Sequence, residues 1–240
     1  MEKIIQIFQN NYQMFLDGTI VTLKISILGT IVGLLIGMVV GAIKTIPKQK
    51  GGKGVIQKVV TALLNLYILV FRGTPMIVQA MLFYYGIALF YGVQIDRTIA
   101  AYLIVSINTG AYMSEVVRGG IISIDKGQFE AAYASGMSHV QTMLYVVAPQ
   151  TLRNILPATG NEFVINIKDT SVLNVISVSE LFFAAKSISG QTFDMFNTYA
   201  VVALIYLFLT TVITQILRLI EKKFEGPESY ELQMGNQMQI

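Results

Sequence analysis

Cysteine is absent from the chain, and with it any disulfide framework, thiol nucleophile or zinc–thiolate site. Histidine occurs once, at His139, too few for a histidine metal cluster. Charge is scarce: 13% of the residues are Asp, Glu, Lys or Arg, against about a quarter in soluble domains. No GxxxxGK[ST] phosphate loop occurs, so the chain lacks the nucleotide cradle of an ATPase. No nucleophile–base triad or carboxylate pair for hydrolysis is visible, so no catalytic residue is assigned. Neither a lipidation motif nor an internal repeat is found. What is abundant is apolar: 54% hydrophobic residues and a mean hydropathy of +0.61 over 240 residues. The class is a multi-pass membrane protein, all-α.

The few charges are placed unevenly. Lys44, Lys48, Lys50, Lys53 and Lys58 share one segment; Arg118, Lys126 and Arg153 surround another; Arg218, Lys222 and Lys223 close the last apolar block. Basic clusters beside apolar spans mark the cytoplasmic side of a membrane rather than a nucleic-acid surface, so no nucleic-acid partner is expected. The first residues are mixed and polar, and the first apolar run is longer than a signal-peptide core, so an uncleaved start is expected.

Five crossings follow from these positions. Residues 1–18 read as a short amphipathic segment outside or in the interface, with Ile4, Ile5, Phe8, Tyr12 and Phe15 near helical spacing. Residues 19–223 form the transmembrane domain, and residues 224–240 a polar cytoplasmic tail. The first span, Thr19 to Ile43, is long enough for a hydrocarbon core of roughly 30 Å. Its Gly29, Gly33, Gly37 and Gly41 recur every fourth residue and lay a smooth ridge along one face, where another helix can approach closely. Lys44–Lys58, with Pro47, Gly51, Gly52 and Gly54, reads as a flexible cytoplasmic loop. Val59–Val93 is read as one crossing broken at Arg72, Gly73, Thr74 and Pro75, because only a single crossing keeps every basic cluster on one side. Spans follow at Thr98–Ile122, Ile155–Val178 and Tyr199–Leu217, with Glu180–Asn197 as an outer connection carrying a short interfacial or re-entrant helix. The N-terminus is then outside and the C-terminus inside.

Polar residues inside spans are costly and mark either interhelical clamps or a substrate path. Asn108, Glu162, Asn166, Asp169 and Ser171 are the path candidates, and Arg72, Gly73, Thr74 and Pro75 the gate or helix-break candidates. Glu115 and Arg118, three apart on one helix, are placed to neutralise each other. Lys168 and Asp169 are adjacent and point differently around the helix, toward neighbouring helices or a gate.

Between the third and fourth spans lies Glu130-Ala131-Ala132-Tyr133-Ala134-Ser135-Gly136, with Pro149 thirteen residues further on. Phe129, Tyr133, Met137, Val140, Leu144 and Val147 follow three-or-four spacing, an amphipathic helical pattern. Gly136 within it costs about 1 kcal/mol against Ala, which argues for a turn. Such a segment either lies in the headgroups or docks into a groove of another protein, and its polar face has few basic residues for the former.

The pattern EAA, three residues, Gly, nine residues and a four-residue apolar ending closed by Pro resembles the EAA loop of bacterial ABC importer permeases. The ending here is Val146-Val147-Ala148-Pro149 where the family has Ile-x-Leu-Pro. Phe71-Arg72-Gly73-Thr74-Pro75, Glu115-Val116-Val117-Arg118-Gly119-Gly120, Pro149-Gln150, Leu156-Pro157-Ala158 and Lys168-Asp169-Thr170-Ser171 extend the likeness over roughly residues 10 to 225, toward the polar amino-acid permeases of the glutamine, histidine and arginine type. The resemblance implies a type I ABC importer permease fold with a cytoplasmic coupling helix. Glu130, Ala131, Ala132, Gly136, Met137 and Ser138 would be the ATPase-coupling residues. It also implies a partner ABC ATPase that holds ATP and magnesium, an extracytoplasmic amino-acid-binding protein, and a homodimer or a heterodimer with a sister permease. These would sit in the bacterial plasma membrane against its lipid. No cofactor or metal is expected in this chain. An ion-coupled secondary amino-acid transporter is the alternative; it would favour inverted repeats.

Overall fold

A computed structural model describes residues 2–224; the expected tail at 224–240 lies outside the described residues apart from the backbone of Phe224. Among the described residues the protein is entirely helical: α1 (Glu2–Thr45), α2 (Gly51–Gly73), α3 (Met76–Tyr91), α4 (Arg97–Ile122), α5 (Lys126–Ala134), α6 (His139–Thr142), α7 (Ala148–Asp169), α8 (Leu181–Thr192) and α9 (Met195–Phe224). A π-turn, Met143–Val147, joins α6 to α7, and a 3₁₀ segment, Thr170–Ile176, extends α7. Glu2–Thr45, Gly51–Gly73 and Met195–Lys223 are each long and apolar enough to cross a membrane, and the bent pair His139–Ile176 with Leu181–Thr192 makes a fourth if the two count as one span. α4 is the central helix. It carries Ser106, Asn108, Thr109, Ser114 and Glu115, and faces protein along most of its length.

The glycine ridge of α1 does what its period implies. α1 and α4 run parallel and in register, four residues to four. A Cβ added at Gly33 would stand 2.6 Å from Thr109 Cγ2, and one at Gly41 2.8 Å from Val117 Cγ1. Backbone-to-backbone approach without side chains between is what holds helices together in lipid, where no hydrophobic force separates one apolar surface from another.

Two features of the N-terminal half add to the expectations. Residues 2–18 belong to the same helical element as the first span, α1, in which two helices meet at a kink at Asn11 (φ −126°). The cause is packing, since Phe15 is buried against Leu181 and Ala185, and Gly18 abuts the Glu180–Leu181 backbone. The lysine segment is also shorter as a loop than expected. Only residues 46–50 connect α1 to α2, and Gln57 ties them down by accepting from Gln49 N (2.8 Å) and donating to Ile46 O (3.0 Å).

α2 and α3 pass along α4 in one direction. Tyr67 donates to Ile107 O (2.6 Å), while Ala80 further along shares a core with Ala100, Ala101 and Ile104. α8 follows the preceding helical stretch at a bend of 54°. It starts on Glu180, whose buried carboxylate accepts from Phe182 N (2.8 Å) and Phe183 N (2.7 Å). One end of the bundle thus gathers the start of α1, α8 and the start of α9. The other gathers Lys44, α5, α6 and the end of α9, whose Leu217 and Glu221 reach Gly160.

Candidate functional site

Two features stand apart from ordinary helix packing: a capped module at the end that gathers α5 and α6, and a set of polar side chains along α4 and α7.

The module is built by local chemistry. Asp125 caps α5 by accepting from Gly127 N (2.7 Å). At its other end Met137 N bonds Ala132 O (3.1 Å) and Gly136 N bonds Tyr133 O (2.9 Å), the paired bonds of a Schellman closure. That closure puts Gly136 at φ +81°, which accounts for the glycine; a Cβ there would meet nothing within 4 Å, so no neighbour in this chain forbids one. Ser138 then opens α6 with a reciprocal capping box: Gln141 N donates to its Oγ, and Ser138 N to Gln141 Oε1 (2.8 Å). Tyr133 Oη and His139 Nδ1, 2.9 Å apart, bridge the two helices across the turn.

The turn expected at Gly136 divides the apolar stripe between two helices. The reversal at Gly136 re-aims the second half. Phe129 and Val147 turn inward against Val117, Ile121 and Ile155. Tyr133, Val140, Leu144 and Tyr145 face outward, Leu144 at 60% exposure and Tyr145 at 72%. Glu130, Ala131 and Ser138 are on the surface, Met137 is half-buried and Ala132 is buried as the anchor.

The polar interior divides into satisfied clamps and open groups. Pro75 has no N–H, so the Phe71 carbonyl four residues earlier loses its helical donor. Gln79 Nε2 supplies one at 3.0 Å and also bonds Thr74 O (2.9 Å). Asn108 Nδ2 adds a second at 3.2 Å and donates to Gln79 Oε1 (2.8 Å). Sequence reasoning finds Asn108 and Pro75 but misses Gln79; the stripped Phe71 carbonyl is the signal. Asn166 is 3% exposed, donates to Thr30 Oγ1 (2.9 Å) and accepts from Thr109 Oγ1 (3.1 Å), locking α1, α4 and α7 together. Glu115 takes Lys44 (2.6 Å) as well as Arg118 (2.9 Å), so the expected pair is a three-residue junction between α1 and α4.

Glu162 and Asp169 differ. They lie seven residues apart on α7, two turns along the same face. Among the described residues neither has a salt-bridge partner within the chain. Arg72, exposed at the end of α2, stacks over the Tyr112 ring at 5.3 Å and is near enough for its charge to act on Glu162. Ser171 is half-buried, and its carbonyl accepts from Asn174 (2.7 Å). Among the described residues no group of three or more His, Asp or Glu side chains is placed to hold a metal.

Residues 53–226 match the family model described as the binding-protein-dependent transport system inner membrane component, and the chain belongs to that family. It is 40% identical over 161 residues, 67% of this chain and 74% of the relative, to the glutamine transport system permease protein GlnP of Escherichia coli K12. The arginine transport system permease protein ArtQ of Bacillus subtilis is 36% identical over 162 residues, 68% of this chain and 74% of the relative. A solved structure described as an amino acid ABC transporter with histidines superposes with a TM-score of 0.78 at 35% identity, covering 90% of this chain and 96% of that one. The MetNI methionine ABC transporter in an inward-facing form, at 18% identity and a TM-score of 0.73 over 90% of this chain and 98% of that one, shares the fold.

Proposed function

We propose that this chain is the permease subunit of an amino-acid ABC importer, forming half of the translocation path and receiving the stroke of a separate ATPase through α5 and α6. The permease role and the amino-acid class rest on the family match and on relatives that are glutamine and arginine permeases. The family description names an inner-membrane component, and the ion-coupled alternative gives way to that assignment.

The observation that carries the coupling reading is the α5–Gly136–α6 module. Both helices are capped, the turn is closed by backbone bonds, and Tyr133, Val140, Leu144 and Tyr145 remain uncovered. A rigid, partly apolar projection of this kind suits a groove in another protein better than water. ATP and magnesium then belong to the partner. Two permease copies, identical or sister chains, enclose the path. An extracytoplasmic binding protein delivers the amino acid.

Five crossings follow if α2 and α3 count as one broken span, as their shared direction along α4 supports. α1, α2–α3, α4, α7 with its 3₁₀ extension, and α9 are then the crossings. Lys44, the module and the end of α9 lie inside, and the N-terminus outside. Glu162, Asp169 and Arg72 line the path, since unpaired charge at membrane depth needs water or a zwitterionic substrate.

The test is reconstitution. The chain, co-expressed with an ABC ATPase of an amino-acid importer, should purify as one complex. In liposomes with the binding protein and ATP, that complex should accumulate a radiolabelled polar amino acid. Accumulation without ATP, driven by an ion gradient, would overturn the reading.

A further inference from the structure

The helix that leaves the module is not a plain rod. Between α6 and α7 the five residues Met143–Val147 form a π-turn, in which Ala148 N bonds Met143 O, five residues back. Pro149 is the cause. In an α-helix its ring would press on the Tyr145 carbonyl and leave that carbonyl without a donor; one extra residue in the turn relieves the clash. Gln150 completes the arrangement. Its Nε2 donates to Val146 O (2.9 Å) inside the wide turn and reaches Gln128 Oε1 of α5 (3.3 Å).

Two further observations fall at the same place. A cavity of about 160 Å³ lies beside the turn, bordered by Met38, Val117, Ile121, Met143, Val147 and Thr151. Thr151 Oγ1 is the one buried side-chain oxygen or nitrogen without a hydrogen-bond partner among the described residues. A wide turn, room beside it and an unsatisfied hydroxyl one turn on describe a segment with a second arrangement available to it.

We propose that Pro149 and Gln150 are positioning residues that hold Met143–Val147 as a hinge, through which displacement of α6 becomes rotation of α7. This rests on the coupling reading above. One residue more or less in a helical turn changes azimuth by about 100° and length by about 1.5 Å. A shift of the π-turn along the helix therefore re-aims residues on one side of it against the other without breaking either helix. α7 carries Glu162 and Asp169, so its rotation moves the charges of the path. Gln150, bonded at once to α5 and to the turn, keeps the two helices of the module moving as one body.

The experiment uses the full complex with its ATPase in lipid nanodiscs and liposomes. Backbone hydrogen exchange is followed without nucleotide and with a non-hydrolysable ATP analogue. In the native complex the amides of Met143–Val147 should change their exchange between the two states, while those of residues 155–160 stay constant. Pro149→Ala supplies the missing N–H and removes the ring, so it should flatten that change and lower transport per ATP hydrolysed by about tenfold. Gln150→Glu keeps the side-chain length and removes the donor; it should act in the same direction with assembly intact, which covers the case where Pro149→Ala fails to assemble. Identical exchange of Met143–Val147 in both states, or a native transport-to-hydrolysis ratio in either assembled variant, would overturn the hinge. Failure of the coupling reading looks different: the native complex itself would show no ATP-driven uptake.

Discussion

Gly37 of α1 sits so close to Met113 of α4 that an added Cβ would stand 2.5 Å from the methionine Cβ and 2.7 Å from its carbonyl carbon. The obstacle is partly backbone, which cannot rotate away. Gly37→Val should therefore destabilise the bundle by about 3 kcal/mol, the upper end of the usual overpacking cost. Gly52, where a Cβ meets nothing within 4 Å, is the control. The thermal midpoint of the purified complex should fall for Gly37→Val and hold for Gly52→Val; equal midpoints would mean the ridge is not what joins α1 to α4.

The Gln79–Asn108 pair gives a second prediction. Both amides serve the Phe71 carbonyl that Pro75 leaves open. Gln79→Leu removes one of the two donors to that carbonyl and leaves an Asn108 N–H without its acceptor, at about 1–3 kcal/mol. The two residues share a network, so Gln79→Leu and Asn108→Leu should be clearly non-additive in a double-mutant cycle. Additive losses would show that the amides act separately.

What is legible in the sequence is what leaves a periodic or compositional trace. The glycine ridge repeats every fourth residue, and its partner face on α4 needs only parallel packing to meet it. The turn at Gly136 is legible because a glycine inside an amphipathic run weakens the helix and is carried where the chain must reverse. Asn108 is visible as a polar residue in a span, but whether it lines a path or clamps helices is not, because its partners lie on α2 and α3. Gln79 leaves no trace apart from standing four residues after Pro75. The continuation of α1 to Glu2 depends on Phe15 and Gly18 meeting α8, a contact between segments far apart in the chain. The π-turn escapes because Pro149 closes a sequence motif, while its effect falls on the carbonyls before it.

Gly136→Val places a β-branched residue at φ +81°, a conformation costing of order 1–3 kcal/mol. No span is touched, so the protein should still insert. The Schellman closure should fray, and α6 with it, lowering ATP-driven uptake several-fold while membrane levels stay near native. Uptake at the native rate would make the turn dispensable for coupling.

The proposed orientation is open to direct labelling because the chain has no cysteine to remove. Single cysteines at Lys50, Gln141 and Lys223 should resist a membrane-impermeant maleimide in intact cells, and one at Gly190 should react. All four positions are exposed in the chain, so protection reports sidedness or a covering partner, and permeabilised cells distinguish the two. Reaction at Gln141 from outside would put the module on the wrong side for an ATPase.

The last prediction concerns the free charge on α7. Glu162 is half-buried, has no ion-pair partner among the described residues, and feels both Asp169 and Arg72. A carboxylate left unpaired at that depth is a standing cost to the fold, and a bound ammonium or guanidinium would relieve it. Glu162→Gln keeps the shape and removes the charge. If the carboxylate serves structure alone, the variant should be as stable as the native complex or more so, with uptake unchanged. If it holds substrate, stability should again hold or rise while uptake falls about tenfold, with cationic amino acids losing more than neutral ones. Asn166→Ala is the contrast, because its buried amide binds Thr30 and Thr109. It should cost about 1–3 kcal/mol of stability and leave the preference among substrates unchanged. The measurement is competition of cationic and neutral amino acids for uptake by each reconstituted variant, with assembly checked in parallel. An unaltered preference in Glu162→Gln would remove that residue from the path.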